Sequence, residues 1–243
     1  MINTWLVVGD LHRNFKAIAQ LEYERPDEVG IICLGDFGVN FYLDSSDARE
    51  KRRLMDYGFH YFLVRGNHEE HPKNLPNIIR HFNADIMNEE YIEPFYPRIH
   101  YLIDGNTYTF GSWTALICGG AYSVDKYYRL SRATPGSAWT GWFPCEQCSF
   151  EEMRNISDKL AGNQTKVDFI FAHTCPLEWE PRDLFLPTID QSRVDSRTEE
   201  WLSEIIEIVD FKTFLCGHFH DERQLAPHAY MLYGNIHELK EYI

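Results

Sequence analysis

Seven side chains able to hold a cation stand at the ends of apolar runs scattered along most of the 243-residue chain. The first run ends in Gly9-Asp10-Leu11-His12, the second in Gly35-Asp36 and the third in Arg65-Gly66-Asn67-His68-Glu69. Two later runs end in His173 and in Gly217-His218-Phe219-His220. Imidazoles, carboxylates and an amide without a thiolate suit Mn, Fe or Zn in a reactive centre, whereas structural zinc usually takes cysteine. A pair of cations needs a shared anionic ligand, and a lone carboxylate such as Asp36 can serve both. The glycines at 9, 35, 66 and 217 permit tight turns directly before the ligands. In Asp10-Leu11-His12 and His218-Phe219-His220, the i, i+2 spacing predicts an extended segment with both polar side chains on one face and the apolar one turned to the core. Each fragment alone reads as an ordinary polar loop. In this order, and all at strand ends, they point to a metal site.

The elements that must position these residues follow from hydrophobic spacing. Thr4 to Val8, Val29 to Leu34 and Phe59 to Val64 read as strands; Phe15 to Glu24 and Ala48 to Tyr57 have helical spacing. Strand–helix alternation implies a parallel sheet, and the loops beyond its carboxyl ends gather on one rim where ligands bind. The separations from Asp10 to Asp36 and from Asp36 to Asn67 each suit one crossover unit. Ile99 to Ile103, Thr107 to Phe110 and Thr114 to Cys118 are short runs parted by turn signals such as Asp104-Gly105-Asn106, which predicts antiparallel pairing. Ser149 and Glu152 form a capping box opening a helix to about Leu160. Val167 to Ala172, Phe211 to Cys216 and Tyr230 to Leu232 are further strands, and Thr198 to Val209 is a helix. Residues 119–148 form a long insert rich in Gly, Pro, Tyr and Trp, of a length usually tied to function. No repeat or linker divides the chain, so residues 1–243 are expected to form one domain.

The series Asp10-x-His12, Gly35-Asp36, Gly66-Asn67-His68-Glu69, His173 and Gly217-His218-x-His220 resembles the calcineurin-like metallophosphoesterase superfamily, over most of the chain. The resemblance implies a four-layer α/β/β/α sandwich with mixed sheets and a dinuclear centre. It implies Asp10, His12, Asp36 and His220 around one cation and Asp36, Asn67, His173 and His218 around the other, with Asp36 bridging. Two such cations clamp phosphate oxygens and generate hydroxide at neutral pH for in-line attack. His68 resembles the general acid that protonates the leaving alkoxide. The chain departs from the Ser/Thr protein phosphatase branch of the family. There the second motif continues to an Asp and an Arg, whereas here Gly35-Asp36 runs into Phe37-Gly38-Val39-Asn40. No orienting partner for His68 is therefore evident. A phosphoesterase for small molecules or nucleotides leads, with a protein phosphatase and a metal-scaffolded binding module without turnover as the alternatives.

Bulk properties narrow the partners. A formal charge of −14 argues against a surface that holds long nucleic acid. A phosphate substrate stays admissible, since bound cations invert the local field. No apolar run approaches the roughly 20 residues of a membrane span, and no cleavable leader precedes the first strand, so a cytoplasmic location is expected. Cys33, Cys118 and Cys216 close apolar runs and read as buried thiols. Cys145-x-x-Cys148 is a single pair, read as two thiols in a loop. Asn155-Ile-Ser and Asn163-Gln-Thr match glycosylation acceptors, which carry no meaning in a cytoplasmic chain. In the insert, Arg129, with Lys126 and Arg132, could steady a phosphate. Tyr122, Tyr127, Trp139 and Trp142 could stack on a base or aryl group, or simply pack the insert to the body.

Overall fold

A computed structural model describes residues 1–134 and 139–243. Its elements in chain order are β1 (Thr4–Val8), α1 (Lys16–Ala19), β2 (Val29–Cys33), α2 (Ser45–Tyr57), β3 (His60–Leu63), β4 (Ile79–Asn83), β5 (Asn88–Ile92), β6 (Ile99–Tyr101), β7 (Thr107–Phe110) and β8 (Trp113–Cys118). They continue as α3 (Lys126–Arg132), α4 (Phe150–Gly162), β9 (Lys166–Ala172), α5 (Arg197–Ile208), β10 (Asp210–Cys216), β11 (Arg223–Ala226), β12 (Ala229–Met231) and β13 (His237–Glu238). Two mixed sheets result, ordered β13-β1-β2-β3-β6-β5-β4 and β11-β12-β10-β9-β8-β7.

Strand alternation explains the layers. Trp5 and Val7 of β1, Ile32 of β2 and Phe62 of β3 meet Ala115 and Ile117 of β8, Phe169 and Phe171 of β9 and Leu215 of β10 in the core between the sheets. The intervening residues face outward. Leu6, Val8, Ile31, Cys33, Tyr61 and Leu63 pack against Ile18 of α1 and Leu54 of α2. On the other flank Leu116, Ile170, Phe214 and Cys216 pack against Met153 and Leu160 of α4 and Trp201, Leu202 and Ile205 of α5. Three apolar interfaces thus separate four layers, α/β/β/α, in one domain. Strands buried on both faces need continuous apolar runs, and these supply them.

Register brings the carboxyl ends together. Val8 pairs with Cys33 and Cys33 with Leu63 in the first sheet. In the second, Cys118 pairs with Ala172, Phe171 with Leu215 and Cys216 with Met231. A bridge between Asp10 and Tyr233 ties the two edges.

Three local expectations need correction, and one hairpin was not foreseen. The helix expected over Phe15 to Glu24 is the single turn α1, which closes at Gln20; residues 21–25 are irregular, and Pro26 opens a separate 3-10 turn. Asp44 accepts from the Ser46 N–H and starts α2 at Ser45, three residues before Ala48. Only β7 and β8 pair with each other as the antiparallel reading expects. β6 instead lies parallel to β3 in the other sheet, and the Asp104-Gly105-Asn106 turn carries the chain between sheets. Finally, the β4–β5 hairpin, largely exposed on β4, extends the first sheet without any expectation for it. Part of the insert at 119–148, residues 135–138, lies outside the described residues; the described part includes α3.

Candidate metal centre

All seven side chains lie at the shared carboxyl edge of the two sheets. The donor atoms of Asp10, His12 and His220 lie within 4.8 Å of one another, as do those of Asp10, Asp36 and His173. His12 and His220 bring their Nε2 atoms to 2.8 Å. Asp36 Oδ2 lies 3.7 Å from His12 Nε2 and 3.6 Å from His173 Nε2, so it spans both groups. The carboxylate common to both groups, however, is Asp10. Asn67 Oδ1 is 2.7 Å from His173 Nε2, and the His218 ring packs 5.1 Å from the His173 ring, centre to centre.

The local backbone is built for this convergence. Asp36 accepts from the His68 N–H at 2.9 Å, and Asp10 from the His218 N–H at 2.8 Å. The Asp36 carbonyl accepts from the His12 N–H at 2.8 Å, stitching the first two ligand loops. His12, Asp36, His218 and His220 all have positive φ, at 44°, 47°, 74° and 55°. Side chains in that region are strained and persist only where surroundings fix them. The two i, i+2 motifs are therefore sharp bends, not extended segments. Leu11 is still turned into the core, while Phe219 is only half-buried. Of the four glycines before ligands, only Gly35 has positive φ, +98°. Gly66 is needed for close approach, since a Cβ there would lie 2.0 Å from Asp36 Oδ1.

Two observations say that the site wants cations. Asp10 Oδ1 and Asp36 Oδ2 are buried without a hydrogen-bond partner, which is costly unless a positive group answers them. Burial disfavours a charged His173, yet the Asp36 and Asp10 carboxylates outweigh it and raise that imidazole to about 9. The donors also fit. His173 Nδ1 donates to the Leu34 carbonyl at 2.8 Å, which leaves Nε2 as the coordinating nitrogen. Asn67 donates its amide N–H to Ser123 Oγ at 2.8 Å and so turns its oxygen toward the centre.

His68 sits beside this group, its ring 5.7 Å from the His12 ring. Its Nδ1 is buried without a partner among the described residues, while its Nε2 lies 3.4 Å from the Asn67 amide nitrogen. Burial lowers His68 to about 4, against the pull of the Asp36 carboxylate. A phosphate anion placed alongside acts in the opposite sense by favouring imidazolium.

A cleft of ≈ 520 Å³ opens on the cluster, lined by His12, Asn67, His68, His218 and His220 together with Tyr122, Ser123 and Arg129. Arg129 also borders a second hollow with His12, Asp36 and His68, but its guanidinium already donates to Asp125 and the Gly141 carbonyl. Lys126 lies over the Trp142 ring at 4.2 Å, and Arg132 over that of Tyr128, in neither case on the cleft. Of the four aromatic candidates only Tyr122 lines it. Cys145 and Cys148 belong to a separate hollow; Cys145 donates to Glu70, and Cys148 accepts from Arg65.

Three features escaped the sequence. Glu69 is buried and accepts from the Gly38, Val39 and Asn40 N–H groups, closing the loop after Asp36. Its place in the Gly-Asn-His-Glu run was the available signal. Ser123 accepts from Asn67; the run Gly119-Gly120-Ala121-Tyr122-Ser123 resembles a family position near the site, but this bond is one that only the fold creates. Residues 177–194, carrying three single 3-10 turns, supply the far wall of the cleft, and no periodicity marks them.

No curated protein sequence matches the chain. The family model of the calcineurin-like phosphoesterases matches residues 4–222, which takes in every ligand loop described above. The chain belongs to the calcineurin-like phosphoesterases and is a metal-dependent hydrolase of phosphate esters.

Proposed function

We propose that the chain hydrolyses small-molecule phosphate esters at a dinuclear centre held by Asp10, His12, Asp36, Asn67, His173, His218 and His220. The supporting observation is the pair of buried carboxylate oxygens, on Asp10 and Asp36, that have no hydrogen-bond partner among the described residues and face imidazoles from other loops. Divalent cations bound here, with Mn, Fe or Zn suited to the donors, supply Lewis acidity toward phosphoryl oxygens and a nucleophilic water. The remaining work falls to the chain's own side chains. His68, at the junction of the cleft and the second hollow, hydrogen-bonds the leaving oxygen and passes it a proton. Arg129 lies on the same two surfaces and steadies the phosphate. Asp125 and the Gly141 carbonyl hold its guanidinium in place for that contact.

A small substrate is favoured over a phosphoprotein. Arg65 is consumed by Asp104, Cys148 and the carbonyls of Gly119, Cys145 and Glu146, and no donor is left for phosphate. The loop at Gly38-Val39-Asn40 is closed by Glu69 and presents no acid to His68. Hydrolysis of p-nitrophenyl phosphate and bis-p-nitrophenyl phosphate by protein loaded with Mn²⁺, followed alongside metal content, tests the proposal. Metal-dependent turnover of either ester is expected. Metal uptake without turnover of both would leave a binding module as the better description.

A further inference from the structure

The wall of the cleft facing the ligands differs in chemistry from the rest. Leu184, Phe185, Leu186, Ile189 and Val194 reach it from the segment after β9, and Phe219 reaches it from between two ligand histidines. Phe185 stacks on Phe219, with ring centres 6.1 Å apart and planes inclined by 18°. Leu186 is 56% exposed and the other five are half-buried, so this apolar surface is wet when the cleft is open. The segment is anchored from behind. The Leu177 N–H donates to Ser203 Oγ of α5, and Arg223 holds Asp183 through two contacts of 3.0 and 2.9 Å. A wall fixed in this way loses little freedom when a ligand settles on it.

The charges on the cleft point the same way. Among the described residues lining it, Arg129 is the one lysine or arginine, and it is already paired with Asp125. Asp125 and Glu180 line the cleft as carboxylates, and Glu199, raised by burial to about 7, adds a third carboxyl group. A second phosphate extending from the metal centre would meet these anions and find no free cation, whereas a neutral apolar group would meet leucine, isoleucine, valine and phenylalanine. The volume, ≈ 520 Å³, lies within the range of small-ligand sites.

Building on the small-ester reading above, we propose that this wall is a subsite for the organic part of the substrate, and that it selects an uncharged aryl or similarly apolar ester over nucleoside polyphosphates and small polar esters. Phe185, Leu186 and Phe219 are the specificity determinants. Phe219 links the two halves of the site, because the bend that aims His218 and His220 at the metals also turns this ring to the cleft.

Binding of non-hydrolysable phosphonates to the Mn²⁺-loaded protein, measured by calorimetry, tests the subsite without turnover. Naphthylmethylphosphonate is expected to bind at least about tenfold tighter than methylphosphonate, as burial of one aromatic group provides. Phe185→Ala should remove most of that preference and leave methylphosphonate affinity within about twofold. Leu186→Ser, at an exposed position where folding is safe, should reduce the preference about threefold. Equal affinity for the two phosphonates overturns the subsite and leaves the small-ester reading standing, as does a Phe185→Ala variant that weakens both equally. Binding of neither phosphonate overturns both.

Discussion

Ser123 is not one of the proposed ligands, yet its hydroxyl decides which atom of Asn67 turns toward the proposed centre. By accepting the amide N–H at 2.8 Å, it leaves the amide oxygen 2.7 Å from His173 Nε2. Ser123→Ala frees that amide to rotate, and metal affinity should fall about tenfold, as losses of orienting partners typically do. Competition with a chelating dye measures this; turnover at saturating metal should stay within a few-fold, which a merely unfolded variant would not manage. His68 poses a different test. If it protonates the leaving oxygen, His68→Ala should slow alkyl esters by about a hundredfold while sparing p-nitrophenyl esters, whose leaving group needs no proton. An equal loss on both ester types would remove His68 from proton transfer. The seven ligand candidates were legible because each type sits where a strand must end, and strand ends share one edge. Ser123 and Glu69 were not, since their partners are a distant amide and three backbone N–H groups that only folding brings near.

At the scale of elements, the strands were readable because burial on both faces demands unbroken apolar runs, and β1, β2, β3, β9 and β10 have them. What sequence pattern missed lies where local chemistry overrides periodicity: α1 closes after one turn at Gln20, Asp44 lengthens α2, and β4 is too exposed to show a face. The position of β6 was missed for another reason. A three-residue strand carries no record of which sheet it joins, and pairing with β3 is settled only by the crossing at Asp104. The loop from Gly38 to Asn40 shows how an element with no regular structure is held. Glu69 satisfies three buried N–H groups there, and an unsatisfied buried donor costs about 1–3 kcal/mol. Glu69→Ala should therefore destabilise the fold by roughly 2–4 kcal/mol, some of the freed groups being hydrated instead. Urea unfolding of the metal-free protein is the measurement, and a change below about 0.5 kcal/mol would mean that the loop stands without its carboxylate.

The whole molecule is two β-sheets joined face to face by apolar side chains and, in the proposed reading, edge to edge by metal ligands. The apolar join involves residues far from the metals, among them Trp5, Phe62, Phe110 and Phe169, so the metal-free chain should fold. The edge join is another matter. Without cations, two carboxylates stand close together in the buried seam where the sheets' carboxyl ends meet, and the chain already carries a formal charge of −14. Cations that bind the folded form alone add stability by mass action, about 2.7 kcal/mol at a free concentration a hundredfold above the dissociation constant. For a chain of this length each kcal/mol moves the melting temperature by about 2–4 °C, so one occupied site raises it by about 5–10 °C. Chelation should lower the melting temperature by at least that much, and added Mn²⁺ should restore it. Asp36→Asn supplies the control that assigns the effect to this seam. Against the effect of burial, the imidazolium of His173 holds Asp36 ionised in the metal-free state, so removing that charge loses an attraction and the variant should melt at or below the chelated wild type. It should also lose most of its response to Mn²⁺, because the carboxylate spanning His12 and His173 is gone. A variant that still gains the full increment from Mn²⁺ would place the stabilising ion elsewhere on the molecule, and the seam would then be held by its apolar core alone.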